Sequence, residues 1–371
     1  MLHLLEEVMR KLIIIFCITV LFAADDKAPS QRTRDREVDI HHIKIVVTVD
    51  IESESVYGHV IHKLSPFGSS LESFSLDAED MTIRRGRLNG KDISFDHNGD
   101  KVHLVMNKPI GWEDTVKVRL DYTAHPRRGT FFIKPDSIYP DKPWQAWTQG
   151  EDTDNHHWVP IYDYPNDKAT FETILTVDKK FKAISNGELL SVNNNKNGTH
   201  TWHWKENYPM VAYLISYVVG EFEKVEDSYS GIPVNYWVYE ENKQEAMRSF
   251  GLTPDMMKYF GDVTGVEYPY EKYDQVIIDD FMFGGMENIT LSIIGQRVLL
   301  DVLKERKDIL KMEVFFFENL DCYFNLLKKN IKKIKPKNFL EIGIFHGVTS
   351  RNVCELLYIL HGNQFKFTGI D

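Results

Sequence analysis

Ile43-Lys44-Ile45-Val46-Val47-Thr48-Val49-Asp50-Ile51 is the stretch on which the fold turns. In an extended chain Ile43, Ile45, Val47, Val49 and Ile51 fall on one side, while Lys44, Thr48 and Asp50 fall on the other. A period of two with apolar residues on one side predicts a strand with one buried face. The alternation returns at Val116, Val118, Leu120 and Tyr122, and in shorter form at 102–106, 171–177 and 201–204. Asn89-Gly90, Asn98-Gly99 and Asn197-Gly198 divide these runs with the residues that tight hairpins favour. Many short strands separated in this way predict a mainly β protein, with an antiparallel saddle or sandwich domain over residues 38–235.

Beyond this region the pattern changes. Glu241 to Phe250 has helical spacing, and Thr253-Pro254 sets a cap residue before a proline suited to a first turn, predicting a second helix to about Phe260. Gly265 and Tyr268-Pro269-Tyr270 break that helix, and Asp274 to Ile278 returns to strand, so a mixed α/β segment is expected over 236–290. From Leu291 the composition shifts to Leu, Ile, Phe and Lys-rich stretches that read as helices over about 298–333. Asn338 to Ile342, a Gly-containing turn, a helix over 350–360 and a strand over 365–370 then form a βαβ unit, which suggests that 291–371 is a separate piece joined near 291.

At the other end, Arg10-Lys11 precedes an apolar run from Leu12 to Phe22 and then Ala23-Ala24. This is the order of a secretory leader, and a run of eleven residues falls short of the ~20 that span a bilayer. Residues 1–24 are therefore expected to be a cleaved signal peptide, 25–37 a flexible lead-in, and the mature protein exported without a stable membrane anchor. Only Cys322 and Cys354 lie beyond the leader, so no disulfide framework supports the body of the chain. A formal charge of −11 disfavours nucleic acid and anionic lipid as partners. The run Lys328-Lys329, Lys332-Lys333, Lys335 and Lys337 reads as a solvated helix face.

The sharpest local signal is Phe281-Met282-Phe283-Gly284-Gly285-Met286-Glu287-Asn288, directly after Val276-Ile277-Ile278. Two glycines allow a sharp turn and a close backbone approach, and Glu287 can present a carboxylate beside that backbone. By spacing alone this is a turn into an edge strand. Taken with Tyr268-Pro269-Tyr270-Glu271-Lys272-Tyr273-Asp274 before it, it resembles the exopeptidase motif of the aminopeptidase N family. Thr148-Gln149-Gly150-Glu151, Trp158-Val159-Pro160 and Asp163 to Phe171 are similar to the segment of that family between its saddle domain and its substrate site. The resemblance covers about 38–290 and implies a β-saddle followed by the start of a thermolysin-like domain. It implies that Glu287 binds the free amino terminus of a peptide, that Glu151 assists and that Gln149 lines the first pocket. The backbone of Gly284, Gly285 and Met286, with Asn288 closing the motif, is implied to run beside the peptide; many members have Ala where Gly285 stands.

The same resemblance implies zinc, held by a His-Glu-x-x-His helix and a later Glu. Past Asn288 the histidines are His346 and His361, which cannot form that pair, so no catalytic or metal-ligating residue is assigned. His41-His42 and His156-His157 are the other candidates; adjacent residues on a strand face opposite ways, so neither pair is expected to chelate one ion. His203, between Trp202 and Trp204, is expected on the solvent side of a strand.

Phe339 to Gly347, ending in Thr368-Gly369-Ile370-Asp371, looks like the first βαβ unit of a class I S-adenosylmethionine-dependent methyltransferase. That resemblance implies Gly343 and Gly347 at the cofactor, Glu341 beside it and Asp371 on the ribose, although one βαβ unit is too little to enclose S-adenosylmethionine. The functional expectation is an exported aminopeptidase-type chain that recognises peptide amino termini but lacks the zinc site for hydrolysis. The alternatives are a non-catalytic peptide-binding or scaffold protein and a truncated methyltransferase fusion; side-chain preference and oligomeric state stay open.

Overall fold

A computed structural model of the 371-residue chain describes residues 33–299 together with the strands Asn338–Ile342 and Lys366–Ile370. The leader at 1–24, Gly343, Gly347, Asp371, the helix expected over 350–360 and, from residue 300 on, that expected over 298–333 lie outside the described residues, as does the Glu341 side chain; Val298 itself ends a 3-10 turn, Gln296–Val298. The strand read from Ile43 runs Val38–Asp50, and Ile43, Ile45, Val47, Val49 and Ile51 are all at most 4% exposed. A register shift between Ile40 and His42 lets Ile40 share the buried face with Ile43.

This strand lies inside an eight-stranded sheet, antiparallel to Ser55–Pro66 and parallel to Ala169–Asp178. The sheet continues outward through Val116–Ala124 and Met81–Leu88 on one side and Thr199–Met210 on the other. Val116, Val118, Leu120 and Tyr122 are buried as their spacing predicts, and so are Trp202 and Trp204. Asn89 and Gly90 both adopt positive φ between Leu88 and Lys91, the geometry of a two-residue hairpin. A three-stranded sheet (Ser70–Asp77, Lys101–Gly111, Ser94–His97) and a four-stranded sheet (Lys182–Ser185, Tyr217–Gly220, Gln145–Thr148, Thr130–Ile133) complete the β region. The protein is mainly β, as the alternation predicted.

The following segment forms a mixed five-stranded sheet. Ile232–Val238, Tyr273–Ile278 and Leu291–Gly295 run parallel, and Glu223–Tyr229 and Gly285–Met286 are its antiparallel edges. The first compact unit therefore extends to Val298, with Leu291–Gly295 inside this sheet. Two helices, Lys243–Phe250 and Thr253–Thr264, precede the Tyr273 strand. Thr253 does not cap: Leu252 takes that position and the Thr253 hydroxyl donates to Gln275 Oε1 at 3.0 Å. The second helix outruns its expected end at Phe260, because left-handed Gly265, φ 72°, is the residue that stops it. In the second unit, Asn338–Ile342 and Lys366–Ile370 pair in parallel, as a βαβ reading requires.

A buried charge joins the five-stranded sheet to the large one. Lys272 Nζ donates to Asp274 Oδ2 at 2.8 Å and to the Thr290 carbonyl at 3.1 Å, and lies 4.8 Å from the centre of the Trp204 ring. Asp274 also accepts from Asn235 Nδ2 and Trp237 Nε1. Burial pulls the Lys272 pKa below its ordinary value, against the attraction of Asp274. Close by, buried Glu206 accepts from Tyr208 N at 2.9 Å and from the Thr290 hydroxyl at 3.4 Å. Burial first, and the charge of Glu271 after it, hold the Glu206 pKa up at about 6.

Lys272→Met strands the Asp274 carboxylate without a counter-charge and is expected to cost about 3 kcal/mol, read from urea unfolding at neutral pH. Glu206 acts in the opposite sense. The folded state holds its proton more tightly than the unfolded chain, so its stabilisation is full below about 4.5 and is lost as pH rises through about 6. Glu206→Gln is therefore expected to flatten the stability–pH curve over that interval and to raise stability at pH 7 by roughly 1 kcal/mol.

Candidate functional site

The strand Tyr273–Ile278 delivers the chain into Asp279 to Phe283, which is fastened to the β region at several points. Lys142 Nζ donates to Asp279 Oδ2 at 2.7 Å and to Asp280 Oδ1 at 2.5 Å. Gln145 Nε2 donates to the Asp279 carbonyl at 3.0 Å, and the Tyr239 hydroxyl donates to Gln145 Oε1 at 2.6 Å. Phe281 packs edge-on against Trp147, ring centres 5.3 Å apart. Gly285 and Met286 then form the sheet's edge strand opposite Ile294 and Ile293, and Gly295 N donates to the Gly284 carbonyl. The turn into an edge strand read from the two glycines is present. In a strand successive side chains alternate, so Met286 is buried and Glu287, the next residue, is exposed.

The other half of the site follows the strand Gln145–Thr148, whose four residues are all buried. Gln149 N donates to the Gly129 carbonyl at 3.0 Å, and its side-chain Nε2 reaches Met286 Sδ at 3.4 Å. Gly150 has no room for a side chain: a Cβ there would stand 2.5 Å from Asn155 Nδ2 and from the Tyr213 carbonyl. Asn155 is itself locked, donating to the Ala212 and Ile215 carbonyls and accepting from Trp158 Nε1. Glu151 follows, exposed, and is joined to Asp152 by a cis peptide bond.

The fold thus brings Gln149 against Met286 although they are 137 residues apart. Glu151 follows Gln149 by two residues and Glu287 follows Met286 directly; both are exposed, and among the described residues neither carboxylate makes a hydrogen bond or an ion pair. Gln149 Oε1 and Asn288 Nδ2 are buried without a partner. Two carboxylates without partners are acceptors suited to an ammonium group. Lys142, Gln145 and Asp279, which join the two halves, carried no signal in the sequence, because their contacts are long-range.

The histidine pairs divide. His41 and His42 lie on the strand Val38–Asp50 and part as expected, His41 to Ser65 and His42 to Thr170 and Glu172. His203 lies on its strand with Nε2 2.9 Å from Glu172, half-buried rather than free in solvent. The expectation for His156 and His157 is not met. They lie on a 3-10 turn, Asn155–His157, whose residues are not related by the twofold alternation of a strand, and their rings stack with centres 4.5 Å apart.

Comparison with known proteins is consistent with this architecture. Residues 39–214 match the Peptidase M1 N-terminal domain and residues 248–315 match the Peptidase family M1 domain. The chain is 26% identical over 286 residues to leukotriene A-4 hydrolase of Xenopus laevis, covering 73% of this chain and 46% of that protein. It is 33% identical over 147 residues to glutamyl aminopeptidase of Bos taurus, covering 38% of this chain and 15% of the relative. The chain thus spans less than half the length of these relatives. Among solved structures, a mutant M1 zinc metallopeptidase of Deinococcus radiodurans bound to a Tyr-Ser-Ala substrate superposes with a TM-score of 0.61. That likeness, at 20% identity over 73% of this chain and 62% of the other, is one of fold. The two matches, in this order, support an M1 aminopeptidase-family fragment and give no support to a methyltransferase-like tail or to S-adenosylmethionine.

The two glycines of the site predict opposite outcomes on substitution. Gly150→Ala must displace the locked Asn155 and is expected to cost about 1–3 kcal/mol in thermal unfolding. At Gly285 a Cβ meets the flexible Ile294 Cδ1 at 3.3 Å and, at ordinary van der Waals distance, the Ile293 carbonyl at 3.6 Å, and Gly285→Ala is expected to change stability by less than about 1 kcal/mol.

Proposed function

We propose, from its two successive matches to the M1 aminopeptidase family, that this chain recognises the free amino terminus of peptides through Glu287 and Glu151. One observation carries the reading: two exposed, unpaired carboxylates closely follow Gln149 and Met286, which are in contact, on segments that the Lys142 and Gln145 hydrogen bonds hold together. An incoming ammonium donates to both carboxylates in charge-assisted hydrogen bonds. A peptide without a free amine leaves these groups unsatisfied, so selection is for chain ends over internal segments. Gly285–Met286 is a sheet edge, and its outward backbone groups can align an extended peptide.

Zinc is implied by the family, and its donor set does not fit this chain. No two of the 14 histidines are four residues apart, so the helical pair that would hold the ion is absent from these 371 residues. The function proposed therefore stops at recognition, with no bond broken. The leader-like order of Arg10-Lys11, Leu12 to Phe22 and Ala23-Ala24 supports export as the setting.

Calorimetry with a short peptide bearing a free amino terminus is expected to show binding, weakened at least tenfold by acetylating that terminus or by Glu287→Gln. Equal affinity for the acetylated peptide sinks the proposal. Aminoacyl chromogenic substrates are expected to remain intact with or without added zinc, and chelator-sensitive hydrolysis by the contaminant-free chain would overturn the recognition-only reading.

A further inference from the structure

The turn Asn155–His157 sets two imidazoles side by side against a loop from a different part of the β region. His156 Nδ1 is 2.9 Å from Asp163 Oδ2, and His157 Nδ1 is 2.8 Å from Asp80 Oδ2. With each Nδ1–H given to a carboxylate, each ring keeps its Nε2 lone pair. The His156 Nε2 lies 3.6 Å from Glu79 Oε2, and the His157 Nε2 lies 3.9 Å from Asp154 Oδ1. One donor atom from each of Glu79, His156 and His157 falls within a single 4.8 Å cluster. A carboxylate holding the far nitrogen of an imidazole is the arrangement that orients histidines toward a metal and raises their basicity.

We propose that Glu79, His156 and His157 form a site for a divalent transition-metal ion of the zinc class, within the β region and separate from the amino-terminus recognition site. Tetrahedral bonds of about 2.0–2.1 Å place donor atoms roughly 3.3 Å apart, so the Glu79–His156 pair is already near that separation. Two imidazoles and one carboxylate form a donor set that zinc accepts, and Asp154 or water can take the fourth position. The two oxygens of Glu79 are divided, Oε2 toward His156 and Oε1 toward Arg127 at 4.0 Å, while Arg127 is mainly engaged with Asp80 at 2.7 Å.

The frame around these donors is preformed. Glu79 N donates to the His156 carbonyl at 3.0 Å, and Asp77 and Ile161 exchange backbone hydrogen bonds on the far side of the turn. Asp163 is held in turn by its own N–H on Asp77 Oδ2 and by accepting from His156 N. The imidazoles and Glu79 thus come from segments whose separation is set by backbone pairing, the condition under which a metal binds without reordering its ligands. Such an ion would clamp the 154–157 turn, a few residues past Glu151, onto the loop that follows the strand Ser70–Asp77.

The test uses the tag-free full chain, stripped with a chelator and then dialysed against Zn2+ or Co2+. Metal analysis is expected to find one ion per chain, with the visible absorption of four-coordinate Co2+ and a higher melting temperature in its presence. His156→Ala and Glu79→Gln are expected to weaken uptake at least tenfold, and Asp163→Asn, which acts only through His156, by roughly 10–100-fold. Glu79 is partly exposed and Gln is isosteric, so Glu79→Gln is expected to keep the metal-free circular dichroism and melting temperature of the parent chain. The proposal fails if the stripped chain takes up no metal, which would leave the cluster an ion pair bridged by a proton. It fails equally if uptake survives unchanged in both His156→Ala and Glu79→Gln.

Discussion

A single buried ammonium, Lys272, holds together the parts on which the site depends. It touches Trp204 of the large sheet, Asp274 of the five-stranded sheet and the carbonyl of Thr290, just past Asn288. Thr290 adopts a positive φ and is fastened through its hydroxyl as well, which accepts from Gly187 N. Asp274 N donates to the same Thr290 carbonyl, so the turn leaving the motif is tied to the strand that leads into it. A buried charge of this kind adds little net stability over an apolar replacement, but removing one partner is costly, so the arrangement strongly penalises departures from this geometry.

Around that anchor, polar groups are treated in two ways. Those that join segments are satisfied inside the protein: Gln145 with Tyr239 and Asp279, Asn186 with the Leu214 and Ile289 carbonyls, Asn155 with Ala212 and Ile215. Those in the two segments of the Gln149–Met286 contact are left open, with Glu151 and Glu287 exposed and Gln149 Oε1 and Asn288 Nδ2 buried without partners. Such orphans are not confined to this place, since the Tyr122 hydroxyl, Thr173 Oγ1 and Trp202 Nε1 are also buried without partners; what distinguishes it is the pair of exposed carboxylates in the same two segments.

The histidine pair at 156 and 157 shows how the same local residues acquire different chemistry from their backbone. On a strand adjacent rings would diverge; on a 3-10 turn they stack, with Asp163 holding the His156 ring and Asp80 the His157 ring. Asp80 reaches His157 from 77 positions away, so no local spacing connects the two.

The sequence alone determined what local physics controls. Alternation at Ile43 to Ile51 and Val116 to Tyr122 specifies strands with one wet face, because side chains two apart must share a surface. Asn89-Gly90 specifies a hairpin because few residues tolerate positive φ. Tertiary structure alone decided the contact of Gln149 with Met286, the burial of Lys272 with Asp274 and Trp204, and the capture of Asp279 by Lys142 and Gln145. A period of two reports that a face is buried without reporting against what. A polar residue's partner is set by where the chain returns in space, and that return is the outcome of packing all the faces at once.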